Sequence, residues 1–461
     1  MVHLVKDNQL TIRFFDKFSV LLILMLYLPL LFFPKINLFQ VSADQTAGIR
    51  IDDILMLLFS IVLFWAHFSL EKRLCQVEKW VFLFTFFSLV SFFSNKILVA
   101  LNVLHTESNI FYSFRMLEYF LYFYIGAFCS VFFRSSTIIK WFFFWNVSLM
   151  ILQKMGILGR FSSGYGFIST TSERVTGIAS FPSEAGLLLN MVFCFLAYDD
   201  SENRRRMIKF PSHMQAAYNK IFLYLLFFVT AMFIIMSGSR IAIIAIFVTF
   251  LFRMWEELKK NKLVDWVIAG AFLTANAIIL SIIIANTNSV FERSSGLFSF
   301  KNIEMFFSSW EEIDIFTPIV YVESVEIGDY DASWLLRIHK WMHTLKTYCL
   351  HPECYLQGLG PGVAPFALDG GILRILTENG IIGCFLFWKL LSSICQLTRQ
   401  LKWIVIVLLI NMIFFDAYLA YKPMSLLFFL AGHAYAETKL LCIRRDKRGR
   451  EAMCDKGMEK I

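Results

Sequence analysis

Long runs of apolar residues alternate with short polar segments from one end of the chain to the other. A helix needs about 17–25 predominantly apolar residues to cross the hydrocarbon core of a bilayer. By this measure the sequence predicts about twelve transmembrane helices, and therefore an all-α integral membrane protein with one polytopic domain over residues 1–461. The predicted spans lie near residues 17–34, 51–70, 80–102, 111–133, 138–155, 184–199, 221–237, 241–254, 266–286, 372–393, 403–419 and 423–438.

Two polar segments are long enough to form structure outside the membrane. One covers residues 155–183, and the other covers residues 287–371 between the ninth and tenth predicted helices. Connections as long as the second are uncommon and usually carry function. From Trp334 onward its apolar residues recur at helical spacing, which predicts one or two short amphipathic helices on the outer surface.

Composition agrees with this interpretation and adds an orientation. The 461 residues are 58% hydrophobic and 17% charged, whereas soluble domains contain about a quarter charged residues. Lys and Arg cluster in alternate connections and in the tail at 439–461, and cytoplasmic loops of membrane proteins carry such an excess. We therefore expect both termini in the cytoplasm and the segments 155–183 and 287–371 in the periplasm. The net charge of +8 follows from this topology, so no nucleic-acid partner is expected.

One candidate site is the junction between the seventh and eighth predicted helices, Ser237-Gly-Ser239-Arg240. An arginine at a membrane boundary can be an anchor whose charged head reaches the aqueous interface. Alternatively, its planar fork matches the oxygens of a phosphate group. The small residues before Arg240, including Ser239, would let such a ligand approach.

A second candidate site is the outer segment that leads into the sixth predicted helix. It contains Arg174-Val-Thr-Gly177, Pro182 and Glu184. Glu184 lies in the first turn of that helix, where a carboxylate complements the helix dipole. A ligand contact is the alternative for Glu184, and Arg174 has no comparable structural explanation.

The third candidate site runs from Arg337 to Gly383. Arg337, Lys340 and Lys346 would form a cationic helical face, and Asp369 lies just before the tenth predicted helix. His351 precedes a glycine-rich turn in which Gly360 permits close approach of backbone to ligand. A loop histidine bound to backbone is the alternative for His351.

Several charged residues fall inside predicted membrane helices, where ionisable groups are functional candidates. Arg374 and Glu378 are four residues apart and are expected to pair, as are Arg115 and Glu118. Asp416, near the outer end of its predicted span, could face the same cavity as Arg240.

Cofactor chemistry is not indicated. Cys349 and Cys354 bracket His351, and both a disulfide and two free thiols are open interpretations. A zinc site is not expected because no fourth ligand is near. The sequence contains no nucleotide-binding or metal motif, so we expect neither a metal nor a cofactor.

These segments together resemble the O-antigen polymerase/ligase superfamily of bacterial envelope glycosyltransferases. The turn ending at Arg240 is similar to the family's Ser-x-Ser-Arg junction, and Arg174-Val-Thr-Gly177 is similar to its Arg-x-x-Gly segment. The family's block of His-Pro, Gly-x-Gly and Leu-Leu-x-Glu-x-Gly-x-x-Gly also has a counterpart. In this chain it reads His351-Pro352, Gly358-Leu-Gly360-Pro-Gly362 and the stretch from Leu373 through Glu378 and Gly380 to Gly383.

The resemblance implies an enzyme with a GT-C-like architecture in the bacterial inner membrane. Family members join lipid-linked saccharides on its outer face and use undecaprenyl-pyrophosphate-linked donors. Family ligases carry a His followed by Asn where this chain has Asp369-Gly370, which favours a polymerase of the Wzy type. Its product would be O-antigen, capsule or exopolysaccharide. Expected partners are undecaprenyl-pyrophosphate-linked saccharides and membrane lipid, with a chain-length regulator protein as a further candidate.

Two other functions remain as alternatives. A ligase would transfer the finished glycan to the lipid A core. A transporter or flippase would show broken helices in paired halves, which the sequence does not indicate.

The resemblance also suggests roles for individual residues. Asp369 is expected to be the general base, kept ionised by the dipole of the helix start, with His351 as the competing candidate. Catalytic arginines would neutralise the charge that develops on the pyrophosphate, and they are Arg174, Arg240 and Arg337. Residues expected to bind substrate are Ser239, Glu184, Lys340, His351, Gly360 and Glu378.

The distribution of basic residues makes the topology testable with reporter fusions. Fusions after Lys220 and after Lys262 should report a cytoplasmic location, and fusions within 300–330 should report an external one. An external location at Lys262 would contradict the predicted orientation.

Overall fold

The computed structural model describes residues 17–34, 37–40, 48–68, 74–161, 167–168, 174–198, 212–258, 332–364 and 368–458, with short pieces at 270, 307, 310–311 and 313–316. Within these residues the chain is predominantly helical, in agreement with the predicted helical class. Two short antiparallel hairpins interrupt it. The first pairs β1 (Asn37–Gln40) with β2 (Gly48–Arg50), and the second pairs β3 (Arg160–Phe161) with β4 (Phe167–Ile168).

The helices follow the apolar runs. In chain order they are α1 (Lys17–Phe32), α2 (Ile51–Phe68), α3 (Gln76–Ala100), α4 (Ile110–Cys129), α5 (Ser135–Lys154), α6 (Pro182–Ala197), α7 (Ser212–Ser237), α8 (Arg240–Leu258), α9 (Ala332–Leu350), α10 (Gly371–Cys395), α11 (Arg399–Asn411) and α12 (Tyr421–Met458). Short 3-10 helices cover Pro352–Cys354 and Ala417–Leu419.

Each predicted span overlaps one of these helices except 266–286, of which the structure describes only residue 270. Among the described residues, three helices are long and apolar enough to cross a membrane, namely α3, α5 and α10. Shorter apolar helices cover Ser19–Phe32, Pro182–Ala197 and Ile221–Ser237. The chain therefore has the features of a helical membrane protein. The number of spans and their orientation remain predictions.

The predicted span 403–419 is wrong at its outer end. α11 ends at Asn411, and an irregular stretch with a 3-10 turn leads into α12. Hydropathy alone continues the helix because the stretch is apolar apart from Asp416. In the structure Asp416 lies outside the helix and accepts hydrogen bonds from another segment.

The core depends on close contact between helix backbones. α4 and α12 pack at Gly126 and Gly432, where an added Cβ at either position would overlap the backbone of the other helix. Small residues allow this approach between membrane helices. At the start of α12, the hydroxyls of Tyr122 and Tyr421 lie 2.7 Å apart and join the same two helices.

α9 confirms a predicted helix in the 287–371 segment, whose first part the structure describes at only a few residues. Its inner face buries Ile338 and Met342. Trp341 donates from Nε1 to the carbonyl of Leu368 at 2.9 Å, and its ring lies 5.8 Å from that of Phe414. These contacts attach α9 to the segment that precedes α10.

α10 is broken at Gly380, which adopts φ 64° and ψ −170°. No broken helix was predicted, and the break at Gly380 corrects that prediction. The irregular segment 355–360 satisfies the freed backbone groups, as unwound backbone in a membrane protein requires. The bonds run from Leu359 N to Thr377 O (2.7 Å), Gly360 N to Glu378 O (3.0 Å), Ile381 N to Tyr355 O (3.0 Å) and Ile382 N to Leu356 O (3.3 Å).

The four hydrogen bonds between the 355–360 segment and α10 bring the two backbones into contact, which predicts that Gly358 tolerates no side chain. Gly358 has φ +83°, and an added Cβ would overlap the backbone of Glu378. Gly156 is a matched control because it has φ +74° with nothing within 4 Å of an added Cβ. Gly156→Ala should lose only about 1–3 kcal/mol of stability from the backbone conformation. Gly358→Ala should lose clearly more, measured by thermal unfolding of the purified protein in detergent. Equal losses of stability in the two variants would show that the backbones of Gly358 and Glu378 are not in close contact.

Candidate functional site

A partly exposed ion pair of the candidate site joins Asp369 to Arg337. Arg337 Nε lies 3.2 Å from Asp369 Oδ2, and the two side chains are 24% and 28% exposed. Asp369 has φ 56°, a left-handed conformation that is uncommon for residues other than glycine. The structure thus brings together two of the residues predicted to be catalytic, at a position that remains open to solvent.

Asp416 lies directly behind this pair. Its Oδ2 accepts the N–H of Leu368 at 2.8 Å, and its Oδ1 accepts the N–H of Gly370 at 3.0 Å. Arg374 Nη1 donates to the same Oδ2 at 2.8 Å. Both residues that flank Asp369 are therefore bound by one carboxylate.

Arg374 is 2% exposed and uses its whole guanidinium group. Besides Asp416, it binds Glu378 Oε1 through Nε at 2.8 Å and the carbonyl of Ala364 through Nη2 at 2.7 Å. The predicted pairing of Arg374 with Glu378 is confirmed. Tyr418 donates its hydroxyl to Glu378 Oε2 at 3.1 Å. Glu378, predicted to bind substrate, is thus enclosed in a buried network.

Burial and nearby charges perturb the Asp369 carboxyl. Burial raises its pKa; Arg337 and Lys340 oppose the rise, and Asp416 adds to it. A carboxylate with a raised pKa accepts a proton more readily near neutral pH, as a general base must.

The predicted cationic face of α9 divides into two parts. Lys340 is 7% exposed, and burial lowers its pKa while Asp369 and Asp416 oppose the change. It belongs to the same charged cluster as Arg337. Lys346 instead donates to the carbonyls of Trp310 and Ile313, both at 2.7 Å. Lys346 therefore connects residues 310–313 to α9.

The segment around Arg174 packs against the Ser237–Arg240 turn. The N–H of Val175 donates to the carbonyl of Met236 at 3.2 Å. Gly238, at φ +75°, lies beneath the side chain of Arg174, and an added Cβ would be 3.2 Å from its Nε. The structure thus unites the two shorter motifs, with Arg240 as the first residue of α8.

Ser239 and Glu184 lie where α6 begins. An added Cβ at Gly186 would be 2.8 Å from the Cβ of Ser239, so α6 is in close contact with the residue that precedes α8. Both oxygens of Glu184 accept backbone N–H groups, from Ser180 at 3.0 Å and from Lys422 at 3.2 Å. Glu184 is 2% exposed, which favours the structural interpretation of this residue.

The group around Asp369 and the segment that contains Glu184 are connected through the start of α12. Lys422 is the second residue of α12, and the linker before α12 carries Asp416. Glu184 therefore joins the start of α6 to the start of α12, which follows the linker that carries Asp416. The start of α10 reaches the same linker, since Ile372 donates its N–H to the carbonyl of Met412 at 3.3 Å.

His351 lies apart from Asp369. It follows α9 and is fourteen residues beyond Arg337, which at 1.5 Å per residue is about 20 Å along the helix. Its Nδ1 is 3.0 Å from Glu353 Oε1. His351 lines a small pocket at the end of α3. Other lining residues of this pocket include Asn95, His105, Thr106 and Thr347.

Gly360 is also buried away from Asp369. An added Cβ would be 2.7 Å from that of Asn95 and 2.8 Å from that of Ser108. The side chain of Asn95 binds Leu359 O at 2.7 Å and Ser108 N at 2.8 Å. The glycine-rich turn is thus packed against α3, and close approach here is to protein.

Tyr418 and Gln153 were not predicted as site residues, and Asp416 was predicted only to face a cavity shared with Arg240. Gln153 Oε1 accepts the N–H groups of Thr176 and Gly177, at 2.9 and 2.8 Å, and holds the Arg174 segment. A polar side chain inside an apolar run was the available signal for each. The predicted Arg115–Glu118 pair is confirmed at 3.1 Å. Cys349 and Cys354 are free thiols, and the described residues contain no group of three or more potential metal ligands.

Comparisons of the chain with protein-family models and with curated proteins find no match.

The raised pKa of Asp369 predicts a pH-dependent cost in stability. A carboxyl whose pKa is raised on folding binds its proton more tightly in the folded state, so stability falls as pH rises from the ordinary value of 3.8 through the folded-state pKa. Asp369→Asn removes this cost. Its unfolding temperature relative to wild type should therefore increase from about pH 4 to pH 7, measured in detergent.

Glu353→Gln is the control of opposite sign. A hydrogen bond from its own backbone lowers the pKa of Glu353, so its contribution is lost as pH falls. The unfolding temperature of this variant relative to wild type should decrease over the same range. Parallel curves for wild type and Asp369→Asn would contradict the assignment at Asp369.

Proposed function

We propose that this chain polymerises lipid-linked saccharide repeat units on the outer face of a bacterial inner membrane. The donor is the growing glycan on undecaprenyl pyrophosphate, and the acceptor is a single lipid-linked repeat unit. The observation that carries the proposal is the Asp369–Arg337 pair, a carboxylate and a guanidinium 3.2 Å apart and accessible to solvent at the start of an apolar helix. Base and cation are the groups that this transfer needs.

Asp369 takes the proton from the attacking hydroxyl of the acceptor sugar. The new glycosidic bond forms as the bond between the donor sugar and its pyrophosphate breaks. A positioned general base contributes about 10²–10⁴ in rate. The raised pKa of Asp369 supports this role, because a carboxyl poised nearer neutrality is the stronger base.

Arginines stabilise the pyrophosphate leaving group as its negative charge grows. Arg337 is adjacent to the base. The Arg174 side chain lies over Gly238 in the turn before α8, and Arg240 is the first residue of that helix. A helix N-terminus favours phosphate through its free N–H groups and its dipole. These groups stand at helix ends, where a lipid carrier would hold its headgroup at the boundary between membrane and water.

The geometry favours Asp369 over His351 as the base. Asp369 contacts Arg337 and belongs to a charged cluster, whereas His351 is about 20 Å further along α9. We assign His351 to contacts with the saccharide chain beyond the reacting sugar.

Asp369→Asn tests this function, since it keeps the shape and removes the charge. Purified wild type and variants are reconstituted with lipid-linked repeat units, and polymer length and initial rate are measured. Asp369→Asn should lose about 10²–10⁴ in rate. His351→Gln should lose less and shorten the product. Glu256→Gln, at an ion pair with Arg399 outside the candidate site, serves as the control.

Two outcomes would contradict the proposal. Normal polymerisation by Asp369→Asn with an inactive His351→Gln would exchange their roles. In cells, the null mutant should display glycan of one repeat unit. If it instead accumulates long lipid-linked chains that never reach the surface, the protein is the ligase.

A further inference from the structure

The backbone at Asp369 is held in a conformation that it would not adopt freely. Its φ of 56° is in the left-handed region, where a Cβ crowds the carbonyl oxygen. Such strain persists only where the surrounding structure over-determines it. The cause must therefore lie in the groups bound to the neighbouring peptides.

Three hydrogen bonds hold those neighbours. Asp416 accepts the N–H of Leu368 and the N–H of Gly370, one with each oxygen. Trp341 donates to the carbonyl of Leu368. The turn from Leu368 to Gly370 is thus clamped on both sides, and the side chain of Asp369 projects towards Arg337 on α9.

Asp416 is itself held from behind. Arg374 binds its Oδ2 at 2.8 Å, and the same guanidinium binds Glu378. Tyr418, two residues beyond Asp416, closes the network through Glu378. The residue is 6% exposed, and its carboxylate binds both the turn and Arg374.

We infer that Asp416 is a positioning residue that folds the Leu368–Gly370 turn and thereby aims the Asp369 carboxylate at the reacting hydroxyl. This inference rests on the proposed function for its catalytic consequence. The alternative is that Asp416 only neutralises Arg374. Glu378 already contributes a negative charge to Arg374, and neutralisation would not require two bonds to the turn.

Asp416→Asn separates these roles. The two N–H groups bind different oxygens of Asp416, so the amide, which has a single oxygen, keeps only one of these bonds in the same geometry. Arg374 retains Glu378 and the Ala364 carbonyl. Hydrogen–deuterium exchange then reports the turn without any need for activity. The peptide that contains Leu368 and Gly370 should lose protection in Asp416→Asn, and the peptides of α4 and α12 should not. Glu353→Gln is the matched carboxylate-to-amide control and should leave the turn unchanged.

Activity gives a second readout. A misplacement of about 1 Å can cost about 10²-fold in rate, so kcat should fall by about that factor with little change in KM. Combined with Asp369→Asn, the Asp416→Asn substitution should cause little further loss of rate, because both substitutions act through the same base.

The pH profile distinguishes positioning from general destabilisation. The charged groups around Asp369 are Arg337 and Lys340 on α9, and Asp416 with its partner Arg374. Asp416 raises the pKa of Asp369, so its removal should move the acid limb of the rate profile to lower pH. A purely structural defect would lower the amount of active protein and leave the limb in place.

Each outcome bears on the inference. Local loss of protection with a shifted acid limb supports it. Unchanged protection at the turn, or loss of protection spread over the whole chain, overturns it. If the wild-type chain makes no polymer, the proposed function fails by itself, and the exchange data alone then decide whether Asp416 folds the turn.

Discussion

The buried guanidinium of Arg374 connects the segments from which the candidate site is built. A charge removed from water is costly unless it is paired and fully hydrogen-bonded. Arg374 meets this requirement with Glu378 one turn along α10, Asp416 in the linker before α12 and the carbonyl of Ala364 in the glycine-rich turn. None of these segments could shift without leaving a buried charge unpaired. The network thus fixes the position of the α10 start, and Asp369 precedes that start.

The arrangement places strain and charge next to a rigid base. α10 is broken at Gly380, yet the segment 355–360 satisfies its backbone, so the break adds no disorder to the site. Asp369 carries a left-handed backbone and a pKa raised by burial. Both features cost stability and are typical of sites where preorganisation serves chemistry. The Arg174–Arg240 turn reaches the same set of helix ends through Glu184 and Lys422.

Local patterns predicted much of this fold. Apolar runs located the described helices, and spacing of four residues predicted the Arg374–Glu378 pair. Long-range contacts were not predictable from one sequence. Asp416 binds residues far from it in the chain, and hydropathy assigned it to a membrane helix. The pairing of the 355–360 segment with the backbone around Gly380 was equally unpredictable. His351 and Asp369 seemed to share one segment, but the helix between Arg337 and His351 keeps them apart.

The central claim is that Asp369 meets the acceptor sugar. A structure of the chain with a bound lipid-linked repeat unit tests it most directly. The account predicts a sugar hydroxyl within about 2.6–3.2 Å of the Asp369 carboxylate and a pyrophosphate contacted by Arg174, Arg240 or Arg337. A saccharide bound at the His351 pocket, with no contact to Asp369 or to these arginines, would contradict it.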